Sequence, residues 1–118
     1  MSAPYSVGDV VWGPDAYHDD DPELKTGGRR PWLILSNDAY PGHGTQYLCC
    51  AMTSGSGKGM AFIEVNPTHW EQGSMRKKSH VDTETVVTMK HHWITKKQGQ
   101  LHRDVRQRAR KLVTSYIS

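Results

Sequence analysis

No stretch of this 118-residue chain stays apolar for long. The longest nearly apolar runs are Trp32–Leu35 and Tyr47–Met52. Both fall far short of the ~20 residues that a membrane helix needs. The first residues, Met1 to Val7, lack a basic region followed by an apolar stretch, so no secretory signal is expected. Cysteine is scarce as well. The two present, Cys49 and Cys50, are adjacent, and a bridge between neighbours is strained, which leaves no disulfide framework. Neighbours on a strand point to opposite faces, so one thiol is expected in the core and the other outside. A reduced, cytoplasmic protein is the expectation.

Metal-ligand spacing is missing too. Seven histidines stand at positions 18, 43, 69, 80, 91, 92 and 102, with no i,i+4 pair on a helix and no Cys-x-x-Cys. They read as surface loop residues, and no metal or cofactor is expected. Gly55-Ser-Gly-Lys-Gly59 lacks the spacing of a phosphate-binding P-loop and reads as a flexible hairpin. No nucleophile-elbow sequence is present.

What is there is one domain's worth of chain, residues 1–118, with hydrophobic content of 36%, four Trp and five Tyr to seed a core. Its charge is divided. Residues 1–73 hold four Lys/Arg against nine Asp/Glu, a balance of −5, and residues 74–118 hold eleven against three, +8. A basic second half suits a polyanionic partner or, equally, a solvated basic helix face.

Short β-rich runs punctuated by Gly, Pro and Asn dominate the pattern. Val7–Gly13 reads as a first strand, followed by a long loop from Asp15 to Gly28. Arg30–Ser36 is the clearest strand, and its continuous apolar run predicts burial on both faces. Gln46–Thr53 and Met60–Val65 follow. Residues 66–79 are polar, and Asn66-Pro67 starts a turn. Ser79–Met89 reads as a strand with a break near Asp82–Glu84, and a last strand is expected around Gly99–Leu101. Leu101, Val105, Ala109, Leu112, Val113 and Tyr116 recur at helical spacing, with Arg103, Arg106, Arg110 and Lys111 on the outer face. Five or so strands and one terminal helix predict a mainly β fold, a small barrel capped by a helix.

Within this pattern, Gly28-Arg-Arg-Pro-Trp-Leu-Ile-Leu-Ser36 places two arginines where a loop enters a buried strand. A guanidinium held there can fork onto a phosphate. The bland alternative is a rim arginine paired with an acid. That segment, with Cys50-Ala-Met-Thr-Ser54 and Lys58-Gly-Met-Ala-Phe-Ile-Glu-Val65, resembles the MazF/PemK family of toxin endoribonucleases over nearly the whole chain. The resemblance implies an SH3-like β-barrel with a C-terminal helix, acting as a homodimer. It implies metal-independent cleavage of single-stranded RNA through attack of the ribose 2′-hydroxyl on the adjacent phosphorus, and inhibition by a cognate antitoxin. By the same resemblance, Arg30 matches the family's catalytic arginine and Thr53 its catalytic threonine. Arg29, Ser54, Lys25, His18, Tyr17 and Lys58 are the expected RNA-binding residues, Tyr17 as a platform for an unstacked base.

Two departures from the family pattern are visible. Some members carry a Glu five residues before the arginine, where this chain has Lys25. Others pair an Arg with an Asp on the later strand, where this chain reads His80-Val81-Asp82. Asp82 and His80 are therefore the expected acid–base pair, histidine being suited to either role. The alternative to a nuclease is a catalytically silent barrel that binds nucleic acid or a protein target such as gyrase. The absence of Trp from Thr114–Ser118 counts against gyrase.

Overall fold

The computed structural model describes residues 3–15, 28–54 and 59–118. Seven antiparallel strands form one curled sheet: β1 (Asp9–Pro14), β2 (Arg29–Ile34), β3 (Gln46–Ser54), β4 (Phe62–Val65), β5 (Trp70–Gly73), β6 (Ser79–Lys90) and β7 (Lys96–Leu101). Their spatial order is β4-β6-β3-β2-β1-β7-β5, and a single helix, α1 (Arg103–Ile117), closes the chain. The architecture is the expected one, mainly β with a C-terminal helix.

Alternation along the central strands feeds two separate cores. Val10, Leu33, Cys50, Met52, Ile63 and Val81 face α1, which adds Val105 and Ala109. Val11, Trp32, Ile34, Tyr47, Cys49, Ala51 and Met89 face the other way, under Tyr5, Val87, Trp93 and Ile94. Each fully buried side chain of this size contributes roughly 1.5–3 kcal/mol. The continuous apolar run of β2 follows from this double coverage. So does a correction. Both cysteines are buried, because β3 is covered on both faces at these two positions.

Residues 66–79, read as polar with no strand assigned, contain β5, which pairs with β7 through Trp70↔Leu101 and Gly73↔Gly99. The backbones approach so closely that a Cβ on Gly99 would strike the Gln72 carbonyl, and one on Gly73 that of Gln98. Its low apolar content hides this strand from a periodicity reading.

The expected break in β6 is a bulge inside a continuous strand. Pairing runs Cys50↔Val86 and then Ala51↔Asp82, leaving Thr83, Glu84 and Thr85 over. The Asp82 carboxylate closes the bulge, accepting from Glu84 N at 3.0 Å and from Thr85 Oγ1 at 2.7 Å. Thr83 Oγ1 donates to the Ala61 carbonyl and lies 2.7 Å from Tyr116 Oη, which ties the bulge to α1.

Two further expectations need correction. Arg106 is half-buried rather than outward, its Nη1 donating to the Val7 carbonyl at 2.9 Å. The histidines are not all surface residues. His80 is buried on β6, His91 Nδ1 lies 2.7 Å from Tyr47 Oη, and the His43 ring packs edge-on against Tyr47.

Candidate active site

The site grows from paired rungs at one end of the sheet. Gly13 of β1 pairs with Arg30 of β2, and Trp32 of β2 pairs with Ala51 of β3. Side chains two residues apart share a face, so Arg30 and Thr53 emerge on the same side, beyond Trp32 and Ala51. Trp32 is completely buried and donates from Nε1 to the Pro14 carbonyl at 3.1 Å, which fixes the platform beneath them.

Arg30 is clamped on that platform. Its guanidinium lies 5.5 Å from the Trp32 ring centroid. Nη2 donates to the Met52 carbonyl at 3.1 Å, and Nη1 donates to Asp15 Oδ1 at 3.2 Å. Nε is buried with no hydrogen-bond partner among the described residues. A buried donor left unsatisfied costs about 1–3 kcal/mol.

Arg30 opens onto a cleft of about 630 Å³. Thr53 and Ser54 line its floor side, Trp12 and Met75 supply apolar surface, and four cations (Arg29, Arg30, Arg76 and Lys77) face one carboxylate, Asp15. Among the described residues, such an excess of positive charge in a concave site favours a polyanion. The chain's charge asymmetry meets here, because Arg76 and Lys77 come from the basic half and Arg29 and Arg30 from the acidic half.

Arg76 and Lys77 arrive by way of β5. The tight Gly73–Gly99 crossing turns the chain back towards the cleft, and Gln98 Nε2 donates to the Ser74 carbonyl at 2.6 Å. Sequence reading missed both cations because they lie in a segment without periodicity. Asp15 was missed as well. A carboxylate next to a Pro reads as turn chemistry until the Arg30 contact is visible.

The structure thus brings together Arg29, Arg30, Thr53 and Ser54 of the expected residues. Arg29 is partly diverted, with Nη1 donating to the Trp93 carbonyl at 3.1 Å. His80 stands opposite Thr53 in the β3–β6 ladder, but its side chain is buried and does not line the cleft. Its Nδ1 has no partner among the described residues. Asp82 is two rungs further, opposite Ala51, with both oxygens engaged in the bulge. Tyr17, His18, Lys25 and Lys58 lie outside the described residues.

Residues 6–117 match the model of the family described as PemK-like, MazF-like toxin of type II toxin–antitoxin system. The chain belongs to this family. No curated protein matches the toxin in sequence. Among solved structures it is similar to MazF in a MazE–MazF complex from Deinococcus radiodurans, at 20% identity and a TM-score of 0.72, covering 99% of this chain and 98% of that one. An endoribonuclease bound to its cognate antitoxin, from a mycobacterial species, gives 17% identity and a TM-score of 0.69 over 94% and 95% of the two chains. MazF-mt6, a toxin of Mycobacterium tuberculosis, gives 16% and 0.63 over 92% and 93%. At these identities the likeness carries the fold.

Proposed function

We propose that this toxin is an endoribonuclease that cuts single-stranded RNA without metal, leaving a 2′,3′-cyclic phosphate and a 5′-hydroxyl. One observation carries the reading: Arg30 and Thr53, on adjacent strands, project beside each other into a cleft rimmed by Arg29, Arg76 and Lys77. The scissile phosphate binds at Arg30, where the guanidinium offsets charge that concentrates on the phosphorane oxygens. The Thr53 hydroxyl donates to one of the same oxygens. The flanking phosphates run along Arg29, Arg76 and Lys77, and Ser54 extends the polar floor.

In this reading Asp82 and His80 support the site from behind. Asp82 fixes the bulge that sets the β3–β6 register, and His80 backs the rung that carries Thr53. The toxin works in the cytoplasm as a homodimer. A cognate antitoxin silences it by laying an acidic segment, folded on binding, over the same cations. Among the described residues no helix is long and apolar enough to cross a membrane.

Incubation with a long mixed-sequence RNA in chelator, with both new ends mapped, tests the reading. Cleavage with cyclic-phosphate ends is expected. Intact RNA, or activity abolished by EDTA, overturns it.

A further inference from the structure

Asp15 is the cleft's carboxylate among the described residues. Its placement is built rather than incidental. It directly follows β1, its backbone N–H donates to the Gly28 carbonyl at 3.1 Å, and the adjacent rung pairs Pro14 with Arg29. Its Oδ1 rests 3.2 Å from Arg30 Nη1, while its side chain stays 54% exposed and in contact with water. Among the described residues, several other acids of the sheet are engaged elsewhere. Asp82 closes the bulge, Glu64 is paired with Lys78, and Asp9 accepts from Gln100 and pairs with Lys97. Lys25 occupies the loop position where some relatives carry a Glu.

We infer that Asp15 is the general base of the cleavage, an assignment that rests on the RNA-cleaving reading above. The reacting 2′-hydroxyl sits on the ribose carbon next to the one that bears the phosphate. A phosphate held by Arg30 therefore brings that hydroxyl to the carboxylate paired with Arg30. The Asp15 carboxylate takes the O2′ proton as O2′ bonds to phosphorus. The P–O5′ bond breaks, its electron pair goes to O5′, and O5′ takes a proton from water at the open side of the cleft. The hydroxide so formed recovers the proton from Asp15, and the site is reset. Among the described residues, the charged groups facing Asp15 are Arg29, Arg30, Arg76 and Lys77. All are cationic, so Asp15 is the anionic group positioned to accept the proton.

Asp15→Asn and Asp15→His test this on an RNA oligonucleotide containing a site the wild type cuts. Cleavage is followed across pH in chelator, and binding is read with the same oligonucleotide carrying a 2′-deoxy sugar at the cut position. Asp15→Asn should lower kcat by at least ~10²-fold, the usual worth of a positioned base, with binding unchanged or tighter. The acid limb of its pH–rate profile should vanish. Asp15→His should recover part of the rate with a limb near pH ~6.5, where an ordinary imidazole titrates. A folded Asp15→Asn protein with kcat within a few-fold of wild type overturns the assignment and leaves Asp15 a counter-ion. So does an Asp15→His profile that keeps the wild-type limb. Wild-type protein that cuts no RNA fells the RNA reading itself, and the base assignment with it.

Discussion

Cys49 and Cys50 are neighbours in the chain and members of different cores, one on each face of β3. Burial pushes the Cys50 thiol up to about 12, helped by the nearby Asp82 charge, and burial pushes Cys49 higher still. An unfolded thiol titrates near ~8.5. Below that value both states hold their protons and stability is unaffected. Between it and about 12 the unfolded chain ionises while the folded chain does not, so stability falls as pH rises, by about 1.4 kcal/mol per pH unit for Cys50. Urea melts between pH 8 and 10 should show a shallower decline for Cys50→Ala than for wild type. Equal slopes would remove the thiol from the pH dependence.

Arg30→Ala should be the most damaging single change at the cleft. On the proposed mechanism it removes the fixed charge that stabilises the phosphorane, a loss of ~10²–10³-fold in kcat for one such donor. Arg30→Lys should recover little, because an ammonium cannot span the Met52 carbonyl and Asp15 together while donating to a phosphate. Wild-type cleavage by a correctly folded Arg30→Ala protein would displace the site from this cleft.

Thr53→Val keeps the β-branched shape on β3 and deletes only the hydroxyl. The thermal midpoint should stay close to wild type. Cleavage should fall roughly 10- to 100-fold, matching one hydrogen bond to a charged group at about 1.5–3 kcal/mol. Unchanged cleavage would leave Thr53 a cleft-wall residue.

Asp82 separates stability from chemistry. Asp82→Ala strips the bulge of both side-chain hydrogen bonds, and urea melts should show a loss of about 1–3 kcal/mol. Asp82→Asn can still accept from Glu84 N and donate towards Thr85, so it should fold well and retain cleavage. A ~100-fold loss of kcat in folded Asp82→Asn would return the base role to this residue.

The sequence-level expectations succeed where one physical signal dominates. Arg30 was visible because a buried strand and a loop meet at Gly28–Pro31, and Val105 and Ala109 because helical spacing is strict. The reading fails where tertiary context decides. Cys49 and Cys50 look like an in–out pair until the sheet is known to be covered on both faces. Trp70–Gly73 is polar enough to pass for a turn, and only its pairing with β7 makes it a strand. Asp82 and His80 sit at the expected place in sequence, but a three-residue slip in pairing commits the carboxylate to the backbone. Asp15, Arg76 and Lys77 reach the cleft through contacts between segments remote in sequence, which no local pattern encodes.

The hydrogen bond from Asp15 N to Gly28 O cinches the neck of the segment that joins β1 to β2. Residues 16–27 fall between Asp15 and Gly28 in the sequence. Lengthening a closed loop is inexpensive, about 0.6 kcal/mol for each doubling. Insertions, deletions and substitutions in 16–27 can therefore accumulate without disturbing the registry of Asp15 against Arg30. Descendants of this chain can change the length and composition of that segment while inheriting the Asp15–Arg30 pair intact.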